Sequence, residues 1–365
     1  MMGTMLASAF GATAAFTVGA EEELLLVEPD TYDLAHESLS VLAAMALPSD
    51  IAHAELYASV LEFASVVSEN AGDAVETLTR LRRAARKAGA TAIGAGVHPA
   101  AVAGDAAMLG GERYRYIKQL LGSPALRTPE CALHVHVGMP DPETAVVAYN
   151  GLRPYTPLLE ALASNSPFIH GVDSGFASGR GFQMRRYPRF EIPRAFADYE
   201  DYATAIEATM AAADIVDPSL VWWRLRLHPR LGTVEIRVMD SQSDLGMVAG
   251  LVALTHGLVA AAVDDGRPGG EITREALGES SYQAIRFGLE ARLWHGDRTC
   301  PVRELAGQAV ERARPYAAEF GSGDALGAIE RIVAEGNGSD RQRAAFARHG
   351  IGGVLRFLVE DSEVG

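Results

Sequence analysis

Phe16-Thr-Val-Gly-Ala-Glu-Glu-Glu-Leu-Leu-Leu-Val27 is the stretch on which the reading of this chain turns. Its apolar residues flank three consecutive glutamates, and Glu28-Pro29-Asp30 closes the run with a turn signal, so it reads as a strand. Strand side chains alternate between two faces. Glu21 and Glu23 therefore share one face, while Phe16, Val18, Leu24 and Leu26 share the other. Glu22 falls on the apolar side, which argues against it as a direct ligand.

The same alternation recurs downstream. Over 132–138, His134 and His136 lie opposite Leu133, Val135 and Val137. Over 233–240, Glu235 and Arg237 lie opposite Val234, Ile236 and Val238. Such strands belong to a sheet whose back packs on helices and whose front holds a polar site. Each motif alone has a blander meaning, such as a solvated edge or a surface ion pair. Their joint occurrence favours a functional front face.

Around these strands, residues 59–67 form a second β-rich run, and 70–87 a helix stopped by Gly89. Asp141-Pro142-Glu143 opens a helix towards Ser164, with interruptions expected at Pro154 and Pro157. Residues 171–193 read as a long Gly/Arg-rich loop, expected to act as a lid. Residues 198–213 and 244–263 read as helices, and 220–227 pairs with 233–240 across His228-Pro-Arg-Leu-Gly232. The last hundred residues read as mostly helical, broken at Pro301, Gly321, Gly336 and Gly350. Strands and helices do not alternate regularly, which predicts an α+β fold with antiparallel pairing. The expected organisation is a ragged segment over 1–15 and one catalytic domain over 16–365.

The chain carries 48% hydrophobic and 22% charged residues and a net charge of −15. That charge argues against sequence-independent nucleic-acid binding and against a polybasic membrane anchor. An acidic protein that handles phosphates must supply local cations, either arginine or metal. The two cysteines, Cys131 and Cys300, support neither a disulfide framework nor a zinc cluster, and a reducing cytoplasm is the expected setting. The apolar N-terminal stretch lacks the basic region of a signal peptide, and no run is expected to reach the length of a membrane span. A homodimer is the default assembly.

A face bearing several glutamates and a histidine suits a hard divalent cation, which Mg2+ binds through carboxylates and substrate phosphates. Clustered carboxylates repel one another unless a cation neutralises them. Nearby arginines hold phosphate oxygens; the loop offers Arg180, Arg185, Arg186 and Arg189, and the last strand Arg237. Arg237 and Arg186 are the candidates for nucleotide contact. Glu55 and Glu62 flank the second β-rich run, and their spacing puts them on opposite faces of a flat strand. Both reach one site only if the chain bends or Glu55 lies in the preceding turn.

The order Gly19-Ala-Glu-Glu-Glu23, Leu61-Glu-Phe63, Leu133-His-Val-His-Val-Gly138 and Gly232-Thr-Val-Glu-Ile-Arg237 resembles the type 2 glutamate–cysteine ligase family, most closely its bacterial carboxylate–amine ligases. Ala163-Ser-Asn-Ser-Pro-Phe168, Asp173-Ser-Gly-Phe-Ala-Ser178, His228-Pro-Arg-Leu-Gly-Thr233, Arg286-Phe-Gly-Leu289 and Arg341-Gln-Arg343 extend the resemblance. It implies a glutamine-synthetase-like fold, in which an antiparallel sheet backed by helices forms a concave floor for ATP, metals and amino acid. It implies that ATP phosphorylates a carboxylate, that an amine attacks the acyl phosphate, and that amide, ADP and phosphate leave. It implies metal-binding roles for Glu21, Glu23, Glu55, Glu62, His134 and Glu235, with Arg237 and Arg180 near phosphate or carboxylate groups in catalytic roles. The partners it implies are a small amino acid and an amine. The chain departs from the family pattern at His170, Gly179 and Glu279-Ser-Ser-Tyr-Gln-Ala284, so the identities of acid and amine stay open. Two alternatives remain. One is a metal-dependent amidohydrolase suggested by His134-Val-His136, which would need a regular β/α alternation. The other is a non-catalytic nucleotide-binding relative.

Overall fold

A computed structural model describes residues 9–123, 128–266 and 272–363. In chain order its strands are β1 (Val18–Leu26), β2 (Ala52–Ala54), β3 (Val60–Ala64), β4 (Ala92–Ile93), β5 (Ala132–Gly138), β6 (Phe168–Ile169), β7 (Val172–Asp173), β8 (Leu225–His228), β9 (Thr233–Asp240), β10 (Arg292–His295) and β11 (Arg298–Pro301). Its α-helices are α1 (Ser38–Met45), α2 (Ala71–Lys87), α3 (Glu112–Leu121), α4 (Pro142–Leu152), α5 (Thr156–Leu162), α6 (Gly179–Met184), α7 (Tyr199–Ala213), α8 (Leu245–Asp265), α9 (Arg274–Phe287), α10 (Val302–Glu319), α11 (Gly327–Glu335) and α12 (Gly338–Ser362).

The main sheet runs β2-β3-β1-β5-β9-β8, with β4 set against the end of β1. Its pairings are antiparallel throughout, so the α+β expectation holds and the β/α alternation of an amidohydrolase barrel is excluded. The alternation read from the sequence sets which face is which. Val18, Ala20 and Leu24 of β1, Leu133, Val135 and Val137 of β5, and Val234 and Ile236 of β9 are buried in one core cluster. Against that back face pack α2 at β1, α8 at β5, and α4 and α5 at β9.

Glu22 lies on this apolar side and is fully buried. Both its oxygens accept from Arg82 of α2, at 3.0 and 2.6 Å. Arg82 also donates to the carbonyls of Ser243 and Gln242, each at 2.7 Å. The pair thus fastens β1, α2 and the β9–α8 connection together. An ion pair out of water survives only with such complete hydrogen bonding.

Several boundaries follow from caps. Asn70, Asp141 and Asp198 accept from Asp73, Thr144 and Asp201 at the starts of α2, α4 and α7. Pro154 falls in a 3-10 turn over Arg153–Tyr155 that separates α4 from α5, as expected, but Pro157 sits in the first turn of α5, where its missing N–H has no intrahelical role.

Four expectations take a more specific form in the folded chain. Of the segment expected to be ragged, residues 1–8 lie outside the described residues. Residues 9–15 form turns tied to the end of β5, where Gly11 donates to the Met139 carbonyl at 3.0 Å. The second concerns membrane-length runs: α8 is long and apolar enough to cross a membrane, but most of it is buried in the core beneath α10, α11, α2 and α4. A helix apolar on all sides is one surrounded by other helices. The third concerns 171–193, which is not one free loop. Ala177 and Ser178 donate to the Ile285 carbonyl, Gly179 donates to that of Ser166, and α6 follows with Gly179, Arg180, Gly181 and Gln183 buried. Met184 at the end of α6 and several residues beyond it line cavities. The hairpin β10–β11 stands where helix was expected. Cys131 and Cys300 are both free and buried.

Candidate active site

Register brings the polar side chains of the front face together. Glu23 of β1 stands directly opposite Glu62 of β3, and Glu62 stands opposite His53 of β2. On the other flank Glu21 pairs with His134, and His136 with Glu235. Like charges directly opposite on neighbouring strands destabilise a sheet, so the Glu23–Glu62 pair calls for a compensating cation. Glu55 lies just after β2, and the β2–β3 hairpin folds it back beside Glu62. This is the preceding-turn arrangement that lets both glutamates reach one site.

These groups line an open cavity of about 390 Å³, within the range of small-molecule sites. Glu21, Glu23, Glu55, Glu62, His134, Glu235 and Arg237 all line it, together with His53, His136 and Arg226. Opposite the carboxylates stand Met184, Tyr187, Phe190 and Trp222, and α3 turns Arg113, Ile117 and Leu121 towards the opening at a spacing of four residues.

Two sets of three ligand-type groups lie with their atoms within 4.8 Å of one another: Glu21, His136 and Glu235, and His53, Glu55 and Glu62. His53 is 3.2 Å from Glu62 and 3.9 Å from Glu55. Glu21 is 3.4 Å from His134 and 3.5 Å from His136. Among the described residues His136 Nε2 is buried without a hydrogen bond, with Glu21 3.5 Å away.

The electrostatics divide the site. Burial and then the Glu55 charge raise Glu23 to about 7, and the same two causes hold Glu62 well above the usual carboxylate range. Burial also acts to raise Glu21, but His136 and His134 outweigh it and hold Glu21 well below the usual value. Burial tends to raise Glu235 as well, yet Arg226 and Arg237 keep it strongly ionised. Burial, with the Arg237 charge behind it, lowers His134 to about 4, so its imidazole is neutral. The β2–β3 flank is thus short of positive charge, while the β8–β9 flank has its own. Crowded carboxylates that resist ionisation, beside a histidine, are a donor set that fits a divalent cation. Glu235 fits less directly, because Arg226 bonds both its oxygens at 2.5 and 3.1 Å and Arg237 makes a further contact.

The candidate arginines fall in different places. Arg237 lines the cavity, and its buried Nε has no hydrogen-bond partner among the described residues. Arg180 is buried and does not line it. β9 carries one extra residue between Ile236 and Met239 relative to β5, a bulge at Arg237 and Val238. Arg180 donates to the carbonyls of those two residues, at 3.2 and 3.4 Å, and lies 3.9 Å from Asp240. It therefore holds the bulge that presents Arg237. Arg186 is exposed and stacked over Phe182, away from the cavity lining. Sequence reading missed Arg226 and His53 and left His136 out of the ligand set. Arg226 was legible in the alternation Leu225-Arg-Leu-His228, whereas nothing in the short run around His53 marks it.

The main antiparallel sheet thus carries carboxylates, imidazoles and guanidinium groups on one face. The fold matches the solved glutamate–cysteine ligase of Francisella tularensis in complex with AMP, with a TM-score of 0.73 at 12% identity over 97% of this chain and 88% of that one. Residues 17–361 match the model of Glutamate-cysteine ligase family 2, and the chain belongs to that family. Two relatives from Rubrobacter xylanophilus are similar over nearly their whole lengths. "Putative glutamate--cysteine ligase 2-3" is 38% identical over 96% of this chain and 98% of its own length, and "Putative glutamate--cysteine ligase 2-1" is 37% identical over 94% of each.

Proposed function

We propose that this chain is an ATP-dependent, ADP-forming carboxylate–amine ligase that activates an amino-acid carboxylate, glutamate in the first instance, as an acyl phosphate. The observation that carries the reading is the convergence of Glu21, Glu23, Glu55 and Glu62 on one cavity beside Arg237. The AMP held by the Francisella tularensis enzyme supports a nucleotide as the phosphate-bearing ligand.

Glu21, Glu23, Glu55 and Glu62, with His53 and His136, are the residues that would hold divalent cations such as Mg2+. When bound, such cations neutralise the phosphate charge that otherwise repels an attacking carboxylate. The rest falls to the chain itself. Arg226 keeps Glu235 ionised and fixed. Glu235 in turn orients Arg237, whose guanidinium lines the cavity and would meet a phosphoryl oxygen there. Arg180 fixes the backbone beneath Arg237. Met184, Tyr187, Phe190 and Trp222 give the cavity an apolar wall against which an acyl phosphate would be held. The substrate carboxylate oxygen attacks the γ-phosphorus and ADP leaves. The amine nitrogen then attacks the acyl carbon, and phosphate departs with the transferred oxygen as the amine gives up a proton.

An ADP-release assay with Mg2+, ATP, glutamate and a panel of amines tests the reading. Amine-dependent ADP formation is the expected result. Folded protein that releases no ADP above background with any carboxylate–amine pair contradicts it.

A further inference from the structure

A second cavity, of about 240 Å³, lies beside the catalytic one, and Phe190 lines both. Its walls come from the segment after α6 (Arg185, Phe190, Glu191, Ile192), from Arg224 just before β8, and from α9 (Arg274, Leu277). Three guanidinium groups therefore meet in a pocket that also has an apolar side.

Arg224 is the unusual member. Its side chain is only 6% exposed. Nη1 meets Glu160, Nη2 donates to Ser281 Oγ at 2.8 Å, and Nε is buried without a hydrogen-bond partner among the described residues. A buried guanidinium normally has all its donors satisfied, because each unmet one carries the full desolvation penalty. Burial, together with repulsion from Arg185 and Arg180, lowers Arg224 from its usual value despite Glu160. Around it, Arg274 is paired with Glu191. Arg185 lies over the Tyr282 ring and donates to the Gly278 carbonyl at 3.1 Å, without a carboxylate partner among the described residues. Three guanidinium groups face two carboxylates, Glu160 and Glu191, leaving an excess of positive charge in a half-enclosed pocket.

We infer that this second cavity is a binding site for a small organic carboxylate, held by Arg185, Arg224 and Arg274 with its carbon body against Phe190, Ile192 and Leu277. Guanidinium groups pair with carboxylate and phosphate alike, so the apolar side is what selects a carboxylic acid with a short chain over bare phosphate. The site is separate from the acidic face: none of Glu21, Glu23, Glu55, Glu62 or Glu235 lines it. A carboxylate bound here sits one aromatic ring away from the catalytic cavity.

Titration calorimetry of the full chain with glutarate alone, without nucleotide or metal, tests the site. Saturable binding is expected, and it is expected to persist in Glu23→Gln, whose change lies in the other cavity. Arg185→Gln and Arg274→Gln alter exposed side chains and leave the fold intact; each is expected to weaken binding about tenfold or more, the scale of one charge-assisted hydrogen bond. Inorganic phosphate is expected to bind more weakly than glutarate. The inference is overturned if glutarate does not bind, if binding survives both arginine substitutions, if Glu23→Gln abolishes it, or if phosphate binds as tightly. None of these outcomes depends on ligase turnover.

Discussion

Single residues on the two faces of β1 have opposite jobs, and substitution separates them. Glu23 and Glu62 sit opposite one another on the open face, where burial and mutual repulsion disfavour their charges. Glu23→Gln or Glu62→Gln is expected to cut ADP release by about 100-fold or more, the effect of losing a cation ligand. Their melting temperatures are expected to stay level or rise, since a repulsion is removed. Glu22, one residue away, is pinned to Arg82 inside the core. Arg82→Ala strands that carboxylate, and urea unfolding is expected to show a loss of about 3–5 kcal/mol. Parity alone assigned Glu22 to the apolar side, so this division was legible in the sequence. Its partner was not, because Arg82 is one of several arginines on an amphipathic helix and only tertiary packing selects it.

At the scale of elements, the bulge in β9 matters most. A one-residue insertion against β5 frees the carbonyls of Arg237 and Val238, and Arg180 from α6 takes both. Arg180→Ala is therefore expected to lower stability by about 2 kcal/mol as well as turnover. Turnover lost with stability unchanged would instead mark Arg180 as a direct contact to substrate. The resemblance to the family implied a phosphate or carboxylate contact for Arg180, which lies in a Gly/Arg-rich stretch. A bulge has no local sequence signature there, so its role in supporting the strand was hidden. The same limit explains α6 and β10–β11. The first is held by Ser166 and Ile285, and the second is a short hairpin whose Gly296 turn sits among helix-forming residues. The long strands β1, β5 and β9 were legible because each alternates apolar and polar residues over its length.

Across the whole molecule, α8 joins the layers, and its His256 links it to the start of β1. His256 is fully buried, donates to the Phe16 carbonyl at 2.7 Å and stacks on Phe320 at 4.1 Å. Burial lowers its pKa from 6.5 to about 4, against the raising effect of that carbonyl. The unfolded chain then binds the extra proton between those values, so stability is full above pH 6.5 and falls as pH drops towards 4. Protonation of this one group accounts for a loss of about 3 kcal/mol across that window. His256→Phe is expected to flatten the fall in a urea-unfolding series from pH 7 to 4.5; an unchanged slope would assign it to other groups. The α+β sheet, its helical backing and the acidic front face were readable from periodicity. The pairing of the β8–β9 flank with arginines, which leaves the carboxylates of the β2–β3 flank without such partners, required the folded geometry.

If the acidic face activates a carboxylate by phosphorylation, one oxygen atom passes from that carboxylate to the released phosphate. Turnover of glutamate labelled with 18O in both side-chain carboxylate oxygens, with ATP, Mg2+ and an accepted amine, is predicted to place one 18O in the released inorganic phosphate. Amide formation accompanied by unlabelled phosphate would contradict an acyl-phosphate route.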